Sequence, residues 1–362
     1  MQINRKTSWL NMTFITLFII MSCQNPDHKN QNSLSKTSNS KTAIDTSLWL
    51  KKTRGIRDIL EDHDGNLWFS SPDYIAKYNG KNIRYFSKND GLPIVGHLHK
   101  DINGIIWVEN GFSIYSYNGA RFESRELLSN VDTNELKGVQ NRLWFQRGLN
   151  QTDTTYINPG IYSVNQKNTN FYSLPINEDV NNKYLYFPTT KASFGKDSTI
   201  WIGTMEKVFG LKNKSFISIG REEMSRQNDG RQMGIRGIFV DSKGNLWIAD
   251  NGAGVFVYDG KETKNFTKKH HLDKEEVEKN TLLRAFSIAE DSVGNIWFGT
   301  VYSGIWRYNP KTDEFKNYTK DDGVNSENIW TIYRTKKGEL LFAGESPAAV
   351  YTFNGKAFDR KY

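Results

Sequence analysis

Apolar and polar positions alternate along most of this chain with a period of two, in short runs fenced by turn residues. In EDSVGNIWFGTVYSGIWRY, residues 290–308, the turn Asp291-Ser292-Val293-Gly294-Asn295 leads into the apolar run Ile296-Trp297-Phe298-Gly299-Thr300. A second turn follows, then the aromatic run Gly304-Ile305-Trp306-Arg307-Tyr308. Period two between turn residues predicts a pair of antiparallel strands. A lone hairpin with one apolar face is marginal in water, so the unit has to be repeated or covered.

It is repeated. Tryptophans fall in register at Trp68, Trp107, Trp144, Trp201, Trp247 and Trp297, and Leu341 takes the same place in a seventh copy. The spacings are 39, 37, 57, 46, 50 and 44 residues, the range of propeller blades. After the tryptophans come Tyr78-Asn79-Gly80, Tyr117-Asn118-Gly119, Tyr258-Asp259-Gly260, Tyr308-Asn309-Pro310 and Phe353-Asn354-Gly355. Asn-Gly and Asp-Gly are the pairs that supply two positive φ angles to a tight type I′ hairpin. An aromatic residue then opens a further strand at Phe86, Phe122, Phe266, Phe315 and Phe358. Each copy therefore holds four strands, in the first copy over residues 55–61, 66–71, 74–79 and 83–87. Seven such copies over residues 50–362 predict an all-β fold, a seven-bladed β-propeller of four-stranded blades with the tryptophans wedged between blades. The stretch Leu48-Trp49-Leu50 and residues 357–362 are both candidates to close the ring, and the sequence does not choose between them. The long spacing after Trp144 implies an insertion near residues 147–170, and blade boundaries are indistinct from about 130 to 200 because the turns there lack the repeat's glycine.

The copies resemble the two-component regulator propeller family, whose repeat reads close to I-x-E-D-x-x-G-N-L-W-F-G-T followed by G-L-x-R-Y-D-G. The best-matching copies are ILEDHDGNLWFSS, FVDSKGNLWIADNGAGVFVYDG and IAEDSVGNIWFGTVYSGIWRYN. The resemblance implies an extracytoplasmic sensory or binding module, with a glycan or a partner protein as candidate ligands. Seven-bladed streptogramin lyases carry a similar G-N-x-W-F turn, which makes a lyase-like propeller enzyme the alternative. Their paired histidine and magnesium ligands match no particular residues here.

Composition agrees with a turn-rich β protein: 13% aromatic residues and 29 glycines against eight prolines. The formal charge is +8, about +6 once a leader carrying Arg5 and Lys6 is removed. The lysines are interspersed with acids rather than massed in an arm, which argues against a nucleic-acid partner.

Arg5 and Lys6 precede an apolar core from Leu10 to Met21, 12 residues long and too short to span a bilayer as a lasting helix. Ile20-Met21-Ser22-Cys23 resembles a bacterial lipobox, and Cys23 is the one cysteine of the chain, so no intrachain disulfide is available. The expected organisation is a signal peptide over 1–22, a lipid-anchored disordered tether over 23–46 and the propeller over 47–362. This places a monomer in the bacterial cell envelope as an outer-membrane lipoprotein, held to the membrane by the lipid on Cys23.

No catalytic constellation, cofactor motif or metal-ligand spacing stands out, which points away from an enzyme. His97 and His99, at i and i+2, share one strand face, and two ligands do not make a metal site. The segment TKKHHLDKEEVEK is expected to be a solvated helical insertion. One pattern does suggest a ligand. Arg54, Arg57, His97, Arg236, Arg284 and Trp330 stand at or just ahead of first strands. In a propeller these would gather at one mouth of the channel, where guanidinium groups and an aromatic suit an anionic or carboxylate-bearing ligand. The competing account pairs the arginines with Glu61, Glu290 and Asp291 as inter-blade salt bridges.

Overall fold

The computed structural model describes residues 49–92, 96–109, 113–125, 142–147, 159–164, 169–176, 183–224, 234–273 and 280–362. The leader, Cys23 and the tether lie outside these. The described chain is a ring of seven antiparallel sheets, each built from strands consecutive in sequence. The first blade comprises Asp58–Glu61, Leu67–Ser70, Ile75–Tyr78 and Ile83–Phe86, running from the axis outward. Six sheets show four strands. The third shows three among the described residues, Leu143–Arg147, Gly160–Val164 and Thr169–Ser173. Gly160–Val164 lies within the segment expected to be an insertion, and Thr169–Ser173 begins at its end.

The repeat motif builds its own turn. Asp62 Oδ1 accepts the amides of Asp64 and Asn66, and its Oδ2 accepts the side-chain amide of Asn66 and the indole Nε1 of Trp68 at 2.9 Å. Asp241 with Trp247 and Asp291 with Trp297 repeat the arrangement. Gly65, Gly244 and Gly294 take the positive φ that the turn requires. The carboxylate thus fixes the indole while the ring packs on the next blade. Trp68 lies 5.1 Å from Tyr117, Trp247 lies 5.7 Å from Phe298, and Trp297 lies 5.3 Å from Phe342.

Seven hydrophobic clusters result, one at each junction between neighbouring blades. The core of this protein is those seven seams, and the in-register tryptophans are their wedges.

The outer hairpins differ from the expected type I′ form. Gly80, Gly119, Gly260 and Gly355 have positive φ, but the preceding Asn or Asp does not. Instead Asn79 Oδ1 accepts the amides of Lys81 and Asn82, and Asn118, Asp259 and Asn354 do the same. A side-chain carboxamide or carboxylate replaces the second left-handed residue.

The ring closes without strand exchange. Phe358–Arg360 is the outer strand of the seventh blade, and residues 49–50 form no strand. Leu50 and Tyr362 still meet in one apolar cluster with Ile56, Phe69, Leu341 and Val350. An isolated bridge, Gly55 to Glu345, spans this seam. The same bridge joins Asn251 to Arg284 and Val301 to Asn328 at the preceding junctions. Gly55 has to be small, because a Cβ there would lie 2.6 Å from Glu345 Cβ.

Of the segment expected to be a solvated helical insertion, residues 267–273 are described, and Lys268, Lys269 and His271 are exposed. A single turn of helix, Phe266–Lys269, buries Phe266 and Thr267. The His270 ring packs 4.6 Å from Phe266 and 5.0 Å from Phe315, with Nδ1 3.8 Å from Asp313.

Candidate functional site

First strands of neighbouring blades touch one another, so they line the axis. At their leading ends, three consecutive inner strands carry the same irregularity. Ile235–Val240 slips register between Ile235 and Gly237, Ala285–Glu290 between Ala285 and Ser287, and Asn328–Arg334 between Ile329 and Thr331. The extra residues are Arg236, Phe286 and Trp330. In the first blade the amide of Arg57 donates to Ser70 O, opposite Asp58, which gives Arg57 the corresponding place. A bulge leaves one residue outside the ladder and re-aims its side chain. Ile235, Ala285, Ile329 and Ile56, one residue earlier in each case, are wholly buried and pin the bulges from behind.

The four re-aimed side chains make one continuous arc over the fifth, sixth, seventh and first blades. The Arg236 guanidinium lies 5.9 Å from the Phe286 ring centroid, and Phe286 meets Trp330 edge to face at 4.5 Å and 85°. The Arg57 guanidinium sits over Trp330 at 4.1 Å. Glu345, at the end of Leu340–Glu345, closes the arc. Its carboxylate accepts from Arg57 Nη2 at 2.8 Å and from Trp330 Nε1 at 2.5 Å, with Arg54 Nε 3.5 Å away.

The two ends of the arc differ in how far their charge is met. Burial lowers the pKa of Arg57, and the Glu345 carboxylate works against that shift. Burial also lowers Arg236, with Asp250 opposing. Arg236 Nε is buried with no hydrogen-bond partner among the described residues.

A second cluster lies one residue deeper. Lys191, just ahead of the fourth blade's inner strand Ser193–Phe194, reaches across the axis to Asp58 Oδ2 at 3.0 Å and to Leu98 O at 2.7 Å. His97 Nδ1 is 3.6 Å from the same carboxylate. Burial alone would raise the Asp58 pKa. Lys191, the His97 ring and the amide of Leu98 outweigh it and hold the carboxyl well below the usual range. Residues of the first, second and fourth blades thus bridge the channel beneath the arc.

The structure therefore divides the sequence-predicted set. Arg54, Arg57, Arg236 and Trp330 belong to the arc. His97 belongs to the deeper bridge, and Arg284 stands one residue ahead of Ala285 at the Asn251 bridge. The proposed pairing of the arginines with Glu61, Glu290 and Asp291 does not describe the arc. Glu61 Oε2 accepts the amide of Lys336, Glu290 accepts the amide and hydroxyl of Ser242, and Asp291 holds its own turn. The acid that serves Arg54 and Arg57 is Glu345. Sequence reasoning missed Glu345, Phe286, Asp58 and Lys191. His99 is a core residue, its Nε2 2.9 Å from Glu109 Oε2 and its ring 5.0 Å from Phe145. Among the described residues, no group of three or more His, Cys, Asp or Glu side chains is arranged to hold a metal ion.

Fold and site together define a seven-bladed propeller with a built-up channel mouth. The family model described as two component regulator propeller matches residues 52–73 and 283–302, which take in the two inner strands of the first and sixth blades. Two stretches of the chain thus match the repeat of two-component regulator propellers. No curated protein matches it in sequence.

Among solved structures, virginiamycin B lyase from Staphylococcus aureus aligns with a TM-score of 0.59 at 14% identity, over 83% of this chain and 94% of that one. YCF48 bound to D1 peptide aligns at 0.53 and 10% identity, over 83% and 94%. The extracellular domain of a putative hybrid two component system from B. thetaiotaomicron aligns at 0.40 and 17% identity, over 85% of this chain and 45% of that one. At these identities the likeness to the first two is one of fold.

Proposed function

We propose that this protein is an exported, lipid-anchored binding or sensory module of the bacterial cell envelope, and that it takes an anionic ligand at the channel mouth without turning it over. The observation that carries the reading is the arc of bulged residues. Strand bulges at matched places in consecutive blades cost ladder hydrogen bonds, and here they bring two cations and two aromatic rings to one opening. A guanidinium with a donor left unmet favours an anion beside it. The leader ending in Cys23 and the regulator-type repeats support export and a sensory role.

The test combines Arg236→Ala with Arg57→Ala and measures melting with and without carboxylate, phosphate and sulfate probes. Loss of probe stabilisation with an intact melt supports the site. A large drop in melting temperature with no probe effect on either protein makes the arginines structural. Stabilisation by neutral oligosaccharides alone, or capture of an envelope protein insensitive to the two substitutions, replaces the anion reading with another ligand class.

A further inference from the structure

We infer that the ligand is an aromatic carboxylate, with the anionic group on Arg236 and the ring it is attached to lying along Phe286 and Trp330. This rests on the reading of the mouth as an anion site and assigns its chemistry. The arc is polar at both ends and aromatic between them, and the end at Arg236, which has Asp250 as its nearby acid, still leaves a donor unmet. Arg57 is engaged by Glu345 and covered by Trp330. Arg236 keeps a buried Nε without an acceptor among the described residues. An N–H donor shut away from water without a partner is costly, and a carboxylate is the acceptor that best matches a guanidinium.

Next along the arc come Phe286, 8% exposed, and the half-buried Trp330, which carries most of the accessible ring surface. Phe286 lies beside Arg236, and its edge-to-face contact with Trp330 continues the aromatic strip towards the first blade. A head group on Arg236 therefore puts whatever it is bonded to against aromatic rings. A planar aryl body gains ring–ring contact there beyond simple area burial, which a saturated ring of similar size does not. Depth is limited too. The Lys191 to Asp58 bridge crosses the channel one residue below the arc, so a ligand lies across the mouth rather than threading the axis.

Four probes test this by calorimetric titration of the purified chain: 2-naphthoate, cyclohexanecarboxylate, 2-naphthylmethanol and N-acetylphenylalanine. The expected order puts 2-naphthoate about tenfold or more ahead of each of the others, the size of one charged hydrogen bond or one good aromatic contact. Arg236→Gln should erase the advantage over 2-naphthylmethanol, and Phe286→Leu the advantage over cyclohexanecarboxylate, each with a cooperative melt. Equal binding of all carboxylates overturns the aromatic assignment and leaves the anion site standing. Tighter binding of N-acetylphenylalanine also overturns it, because the ring would then be held apart from the carboxylate, as at a peptide end. Undiminished 2-naphthoate binding by Arg236→Gln overturns the placement of the head group. If no carboxylate binds saturably, this inference and the anion site fall together.

Discussion

Replacing Trp297 by alanine tests the wedge architecture most directly. The side chain is 2% exposed. It stacks on Tyr318 at 5.8 Å within its own blade and meets Phe342 and Phe353 of the next blade at 5.3 and 5.2 Å. Its indole Nε1 donates to Asp291 Oδ2 at 2.9 Å. Truncating a fully buried tryptophan costs about 3–5 kcal/mol from lost transfer and an unfilled cavity. The upper part of that range applies here, since Asp291 also loses a donor, although the Asn295 and Val293 amides still serve it. At about 2.1 cal/mol/K per residue over a domain of roughly 310 residues, each kcal/mol moves the midpoint by roughly 1.5 °C, so the loss should be about 6–8 °C.

Trp330→Ala is the internal comparison. Trp330 is half-buried and would lose its contact with Phe286, the Arg57 guanidinium over its ring and a hydrogen bond to Glu345, which keeps Arg57. That amounts to about 1–2 kcal/mol. Calorimetric melts of both variants, with Trp297→Phe recovering most of the larger loss, check the reasoning. Equal losses, or a larger one at Trp330, would show that the in-register tryptophans are not what joins the blades.

Three further outcomes are expected. Cys23→Ser should abolish labelling by fatty-acid probes and release the protein from membranes, which fractionation reads directly; retention would mean that the apolar leader stays as the anchor. His99 and His270 are held low in pKa by burial, so the neutral rings favour the fold above about pH 6.5, and that stability is lost as pH falls from there towards the depressed values. His270→Leu should flatten the decline in melting temperature between pH 7 and 5 in part, and an unchanged slope would count against burial as the cause. For Asp62 and Asp291, burial raises the pKa, but the indole and asparagine donors outweigh it and the net shift is downward. Their stabilisation is present above about pH 3.8 and lost as pH falls through the lowered values, so Asp291→Asn should reduce the acid slope below pH 4.

The blades were legible because a single unit, turn carboxylate to indole, recurs with its glycine and asparagine. Where that unit decays the sequence blurs. Around Trp144 there is neither the aspartate nor the glycine, and the third blade's first strand could not be placed. The arc was half legible. Arginines ahead of inner strands marked the mouth, but nothing in the pattern singled out Phe286, since only the register slip before Ser287 turns it out of the ladder. Glu345 could have been noticed as an acid where the fifth and sixth copies have Asn251 and Val301. Lys191 had no signal at all: its partner Asp58 is 133 residues away and meets it only because the ring brings the fourth blade opposite the first.

The junction between the seventh and first blades is the only one that no connecting segment tethers, yet it uses the same backbone bridge as its neighbours. Covalently this is a necklace with a clasp, and the clasp is made of Gly55 against Glu345, Glu61 against Lys336 and the apolar cluster around Leu50 and Tyr362. Arg57 belongs to one half of the clasp, Trp330 and Glu345 to the other. Whatever tightens Arg57 against those two residues therefore also opposes parting of the necklace, and whatever loosens them weakens the whole circle, because seams buried by mutual contact have no second hold once one has opened. A ligand at the proposed mouth that pressed on Trp330 would therefore act on contacts that also hold the ring closed.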